Sequence, residues 1–173
     1  IEVFGFHLAP LDMRQYSGMH EAVVAELFAG AGLEDYASLS EAERRTALLR
    51  ELQSPRLLRS PFKHYSEDAK KELAIHQAAQ RIQAAYGAAA LPNYIISNAG
   101  SVSDMLEVAL LLKECGLLTT KEGVLHSQVN IIPLFETIDD LRNCGPVMTE
   151  AFSLPDYKGL LLSRQMEQEV MLG

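Results

Sequence analysis

A helix-rich α/β fold built on a parallel sheet is what this sequence of 173 residues predicts, and three observations predict it. Short apolar or alternating segments take turns with longer stretches of helical periodicity, the order of parallel β-α-β units. The later strand candidates are nearly continuous apolar runs, as strands covered on both faces are. No strand is followed by a glycine-rich phosphate loop, neither G-x-G-x-x-G nor a Walker pattern, which weakens an open nucleotide-binding sheet. Four strand candidates are half of what a closed (β/α)8 barrel of ~250 residues needs. The expected architecture is therefore a partial (β/α)8 TIM barrel with extra helices, residues 1–173 forming part of one barrel domain.

Each element has its own reason. Glu2 to Leu8 alternates, is rich in β-branched and aromatic residues, and reads as a strand ended by Pro10. His20 to Phe28 reads as a helix closed by Gly30 and Gly32. Ser40-Glu41-Ala42-Glu43 is a capping box that opens a helix from Glu41 to about Gln53. Pro55 to Tyr65 is a loop carrying Arg56, Arg59, Lys63 and His64, expected to be solvated, with an allosteric anion site as the sharper alternative. Ser66 caps a long helix to about Tyr86, whose stripe Ile75, Ala78, Ala79, Ile82 and Tyr86 is expected to be buried. Asn93 to Ser97 is a strand, and Ser101 to Asp104 caps a helix from Met105 to Cys115 that is apolar almost all round and so deep. Gln128 to Leu134 is the third strand. A short helix from Ile138 to Arg142, helical stretches at Pro146 to Phe152 and Tyr157 to Arg164, and a fourth strand from Glu169 to Leu172 complete the order.

Composition excludes several classes. The chain is 48 % hydrophobic and 22 % charged, which excludes a disordered or low-complexity chain. Fifteen Lys and Arg against 23 Asp and Glu give a net charge of −8, which argues against binding nucleic acid or an anionic membrane surface. The longest apolar run, Val108 to Leu112, is far short of the ~20 residues of a membrane helix. Cys115 and Cys144 form no C-x-x-C pair, so they read as ordinary thiols of a reducing cytoplasm. The chain opens without Met and closes on Met171-Leu172-Gly173, from which we expect an excised piece of a longer polypeptide.

In parallel sheets and barrels the chemistry sits at the carboxyl ends of the strands. Three segments qualify: Leu11-Asp12-Met13-Arg14-Gln15, Ser97-Asn98-Ala99-Gly100-Ser101 and Phe135-Glu136-Thr137. Arg14 offers a planar fork of donors suited to phosphate or carboxylate; alternatively it pairs with Asp12 or a nearby helix carboxylate. Glu136 offers a hard oxygen to Mg2+ or Mn2+; alternatively it caps the following helix. Together they would set a divalent cation beside an anion clamp, the arrangement that stabilises an enolate or a transferring phosphoryl group. His20 is a weaker candidate for the rim. His7 and His76 read as packing or surface residues, His64 and His126 as loop residues, and Asp139-Asp140 as solvent-exposed neighbours.

At these residues the chain resembles the phosphoenolpyruvate carboxylases of the bacterial and plant type. The strings are F-G-F-H-L-A-P-L-D-M-R-Q at Phe4 to Gln15, Y-I-I-S-N-A at Tyr94 to Ala99, S-D-M-L-E-V at Ser103 to Val108, L-L-L-K-E-C-G-L at Leu110 to Leu117, I-P-L-F-E-T-I-D-D-L at Ile132 to Leu141 and Q-E-V-M-L-G at Gln168 to Gly173. The resemblance implies a lyase that adds bicarbonate to phosphoenolpyruvate, giving oxaloacetate and phosphate through carboxyphosphate and the pyruvate enolate, with Mg2+ or Mn2+. It implies that Arg14 is catalytic and meets the substrate phosphate or carboxylate. Glu136 is then a metal ligand, and Leu134 and Met171 form an apolar wall at the methylene carbon. It implies a (β/α)8 barrel in a cytoplasmic homotetramer.

The departures are specific. The Y-S-D-S-x-K-D string with the second metal aspartate and the H-G-R-G-G loop are absent from these residues. The usual Q-E-S-x-R-H reads Q-Y-S-G-M-H at Gln15 to His20, and Asn98 stands where Met is usual. We therefore expect no turnover from this chain alone. A non-catalytic binding or regulatory domain derived from such a barrel is the alternative.

Overall fold

The computed structural model describes residues 9–173. Four strands, β1 (Asp12–Tyr16), β2 (Asn93–Ser97), β5 (Asn130–Phe135) and β6 (Met171–Leu172), form one all-parallel sheet in the order β1-β2-β5-β6. A separate antiparallel hairpin, β3 (Leu118–Lys121) and β4 (Val124–Ser127), lies between. Helices α1 (Ser17–Ala31), α2 (Glu41–Gln53), α3 (Glu67–Tyr86), α4 (Val102–Glu114), α5 (Ile138–Ser153) and α6 (Pro155–Ser163) supply the rest. The fold is thus α/β, helix-rich and built on a parallel sheet.

The register divides the sheet into two faces, because successive side chains of a strand point to opposite sides. Met13, Tyr94, Ile96, Ile131 and Phe135 face the helices and join the main core. Its centre is α4, where Met105, Leu106, Val108, Ala109, Leu110, Leu111 and Leu112 are fully buried. Burying each such Leu stabilises the fold by about 1.5–3 kcal/mol. Two capping boxes start the helices that matter most here, Ser40 with Glu43 for α2 and Ser101 with Asp104 for α4. The opposite face carries Arg14, Ile95, Ser97, Ile132, Leu134 and Met171, of which buried Ile95, Ile132 and Leu134, with Met171 packed against them, form a small apolar cluster of their own.

At the amino end of this second face a row of side chains crosses the sheet. Arg164 Nε donates to Asn130 Oδ1 (2.6 Å), Asn130 Nδ2 to Asn93 Oδ1 (2.9 Å) and Asn93 Nδ2 to Asp12 Oδ1 (3.0 Å). Asp12, Asn93 and Asn130 are register partners, so the row helps hold three strands in step.

Several expectations are corrected. The strand expected at Glu2 to Leu8, with His7, lies outside the described residues. The segment expected to be the loop after it is itself β1; polar Asp12, Arg14 and Gln15 mask the alternation that buries Met13. The long helix does not bury Ile75, Ile82 and Tyr86, which are 47, 38 and 60 % exposed. It turns Ala69, Glu72, Leu73, His76, Ala79 and Gln83 inward instead, because Glu72, His76 and Gln83 find hydrogen-bond partners there. His126 belongs to β4, a hairpin not expected from sequence. Ile138 to Ser153 is one helix with Pro146 inside it rather than two.

The basic loop is clamped rather than merely solvated. Arg56 forks onto buried Glu51 at 2.9–3.0 Å. The Lys113 ammonium donates to the carbonyls of Ser54 (2.6 Å), Arg56 (2.9 Å) and Glu51. Its neighbour Glu114 accepts from the amides of Leu58 (2.7 Å) and Arg59 (3.0 Å). The last two residues of α4 thereby satisfy five backbone groups that water would otherwise have to serve.

Candidate active site

Arg14 of β1, Ser97 at the end of β2 and Glu136 just after β5 meet at the carboxyl end of that second face. Arg14 lies level with Ile95 and Ile132, so its side chain must reach along the sheet to the rim. There its Nε donates to Ser97 Oγ at 2.7 Å and its Nη2 to Glu136 Oε1 at 3.0 Å. The Arg14 and Glu136 side chains are 54 and 36 % exposed, so the pair faces solvent and contributes little to stability. Among the described residues Nη1 has no partner, which leaves donors for an incoming anion.

Arg14 pairs with the Glu136 carboxylate beside the start of α5, so of the two pairing alternatives the one with Asp12 fails. Asp12 takes its hydrogen bond from Asn93, not from Arg14. The helix after β5 is capped by Thr137 and Asp140: Thr137 Oγ1 accepts from the Asp140 amide (3.1 Å) and Asp140 accepts from the Thr137 amide (2.9 Å). The Thr137 hydroxyl and then the Thr137 amide, both hydrogen-bonded to it, hold the Asp140 carboxyl below the usual range. Glu136 is thus free of capping duty. Among the described residues no three His, Cys, Asp or Glu side chains gather as a metal cage. Glu136 alone fits a hard cation, as one oxygen ligand at a solvent-facing strand end.

Leu134 and Met171 stand side by side as register partners of β5 and β6, one step below Glu136 on the same face. Gln168, unremarked in the sequence beyond its place in a motif, anchors the two-residue β6. Its Nε2 donates to the Ile131 carbonyl (2.9 Å) and the Glu169 carbonyl (2.8 Å), and its Oε1 accepts from the Tyr157 hydroxyl (2.7 Å).

His20 is not on the rim. It is fully buried on the helix side of the sheet, its Nε2 2.9 Å from the Tyr94 hydroxyl. Tyr94 donates to Glu72 Oε1 (3.0 Å), whose second oxygen accepts from Gln15 (2.9 Å), and the His76 ring stacks on Tyr94. Burial, and then nearby His76, drive the His20 pKa down to about 3, so the imidazole is neutral. Gln15 therefore ties β1 to α3 on one side of the sheet while Arg14 works on the other. Ser97 is the rim residue that sequence reasoning missed; its place as the last residue of an apolar strand was the available signal.

With this geometry in hand, the comparisons with known proteins are direct. The family model described as phosphoenolpyruvate carboxylase matches residues 1–173. The chain is 55 % identical over 173 residues to the phosphoenolpyruvate carboxylase of Chromobacterium violaceum, covering 100 % of the chain and 19 % of that relative. It is 57 % identical over 174 residues to that of Nitrosomonas europaea (99 % and 18 %) and 53 % identical over 177 residues to that of Ralstonia nicotianae (100 % and 18 %). The chain spans about a fifth of the length of the curated relatives it matches. End-to-end agreement at this level of identity leaves one conclusion: the chain belongs to the phosphoenolpyruvate carboxylase family.

Proposed function

We propose that the chain forms one side of a (β/α)8 barrel that adds bicarbonate to phosphoenolpyruvate to give oxaloacetate and inorganic phosphate. The observation that carries this reading is the meeting of Arg14 and Glu136 at the carboxyl end of a parallel sheet, above an apolar row. The relatives' names point the same way. An apolar row below a charged carboxyl end is what the inner wall of such a barrel requires.

Arg14 binds the phosphate or carboxylate of the substrate with its planar fork of donors. Glu136 would supply one oxygen ligand to Mg2+ or Mn2+, which when bound would offset the negative charge that builds up on the reacting groups. Leu134 and Met171 keep water from the methylene carbon. In the reaction bicarbonate oxygen attacks phosphorus, giving carboxyphosphate and the enolate of pyruvate. The enolate carbon then bonds to the carboxyl carbon and phosphate leaves. A dry wall matters at the second stage, because a stray proton would convert the enolate to pyruvate. A homotetrameric, cytoplasmic parent enzyme belongs to the same reading. Among the described residues no helix is long and apolar enough to cross a membrane.

The test is direct. Full-length protein containing this sequence, given phosphoenolpyruvate, bicarbonate and Mg2+, should form oxaloacetate, read by its reduction with NADH and malate dehydrogenase. Consumption of phosphoenolpyruvate without oxaloacetate would overturn the reading.

A further inference from the structure

We propose that Ser97 is a positioning residue, whose hydroxyl aims the Arg14 guanidinium at the substrate's anionic group. The inference rests on the reading of Arg14 as the substrate-binding cation, and extends it to a side chain with no assigned role.

An arginine side chain is long and carries about 2 kcal/mol of rotamer entropy, so a free one is a poor clamp. Arg14 has two tethers. One is Glu136, a carboxylate that both holds and neutralises it. The other is Ser97 Oγ, which accepts from Nε at 2.7 Å and is uncharged. A hydroxyl fixes the plane of the guanidinium without adding a second negative charge beside it, so positioning costs none of the attraction for an anion. Removing it would leave Glu136 as the one tether among the described residues, and the guanidinium plane would be free to turn about that single contact.

Ser97 is itself held in place from three directions. It closes the β1–β2 ladder opposite Tyr16. The next residue, Asn98, takes the left-handed conformation (φ 57°), which Asn tolerates better than most residues, and its carbonyl accepts from Ser17 Oγ at 2.8 Å. The Ala99 amide then donates to the Leu134 carbonyl at 3.0 Å, tying the turn to β5. These ties cross from β2 to α1 and β5 around one hydroxyl, which is the kind of support a precisely placed group needs.

The experiment uses full-length protein with Ser97→Ala, Ser97→Thr, Arg14→Gln and the Ser97→Ala/Arg14→Gln double variant. Ser97→Ala should raise KM for phosphoenolpyruvate about tenfold, with kcat within about threefold and Tm unchanged, the size expected for one lost charge-assisted hydrogen bond. Ser97→Thr, which keeps the hydroxyl, should restore KM to within about twofold. In the Arg14→Gln background Ser97→Ala should add nothing, because the two act as one unit. Full additivity, an unchanged KM, or a loss shared by KM, kcat and Tm that Thr does not rescue would each overturn the proposal. Wild-type protein that forms no oxaloacetate would instead sink the functional reading. Calorimetric binding of phosphoenolpyruvate across the same variants would then decide Ser97 by the same non-additivity test.

Discussion

Tyr36 donates its hydroxyl to Glu107 Oε1 across 2.6 Å, in the core between a 3-10 turn (Tyr36–Ser38) and α4. Both side chains are buried, and the second Glu107 oxygen has no partner among the described residues. Burial is the main reason the Glu107 pKa is pushed up to about 8; Asp104 and Glu21 push the same way, against the Tyr36 hydrogen bond and Arg44.

That pair sets a pH dependence. Unfolded, Glu107 ionises near 4.5, so between 4.5 and about 8 the folded protein holds a proton the unfolded chain has released. Its contribution is whole below 4.5 and is lost as pH rises to 8. His20 runs the other way: neutral down to about 3 against 6.5 unfolded, it contributes above 6.5 and loses that as pH falls. Above pH 6.5, of these two groups, only the Glu107 slope remains. Thermal unfolding followed by circular dichroism should show Tm falling from pH 6.5 to 8.5, and Glu107→Gln should flatten that fall. An equal slope in the variant would mean Glu107 is ionised in the core.

The Lys113 clamp predicts a local defect. Lys113→Met keeps the aliphatic length but leaves the carbonyls of Glu51, Ser54 and Arg56 without the ammonium. We expect a loss of about 2–4 kcal/mol in denaturant unfolding, the scale of a few charged hydrogen bonds less solvation of the exposed part. Trypsin should then cut at Arg56 and Arg59 well before other sites. A cleavage pattern equal to wild type would mean that Glu114 holds the loop alone.

The apolar wall predicts an error in product. If Leu134 and Met171 guard the enolate, Met171→Gln should raise pyruvate formed per oxaloacetate several-fold, whereas Met171→Leu should not. Both products are read from one reaction with lactate and malate dehydrogenases. An unchanged ratio in Met171→Gln would remove the wall from the mechanism.

The charged rim predicts a split between two losses. Arg14→Gln should lower kcat/KM by about 10²–10³, the cost of removing one preorganised charge-stabilising donor. Glu136→Gln should act first on the cation, raising the Mn2+ concentration needed for binding as measured by water proton relaxation. Arg14→Gln should not weaken Mn2+ binding, since it frees the Glu136 oxygen that Arg14 occupies. Weaker Mn2+ binding in Arg14→Gln would contradict that competition.

Much of the frame was legible because capping and strand signals are local. Ser40 and Ser66 announce α2 and α3, and Asn93–Ser97 is an uninterrupted β-forming run. The parts that were not legible depend on partners distant in sequence. Nothing near Gln83 or Glu72 says that Leu91 and Gln15 will meet them, so the apolar stripe of α3 looked like the buried one. β1 hid because Arg14 and Asp12 serve the polar side of a sheet, where alternation is written in charges rather than in valines. At the site, the place of Glu136 just after an apolar strand was readable, whereas Arg14, expected to follow a strand, lies inside β1. Ser97 was not readable, because a hydroxyl acquires meaning only when a guanidinium 83 residues away arrives at it.

The row from Arg164 through Asn130 and Asn93 to Asp12 has a single sense of direction, fixed by a cation at one end and an anion at the other. Each amide must turn its oxygen toward the arginine and its nitrogen toward the aspartate. Spontaneous deamidation of Asn93 or Asn130 would break that polarity at a stroke. The new carboxylate would have no proton to pass on, and the next acceptor along, an amide oxygen or Asp12 itself, would face it lone pair to lone pair. Ageing chemistry at the blunt end of the sheet would therefore loosen the strands that present the reactive end.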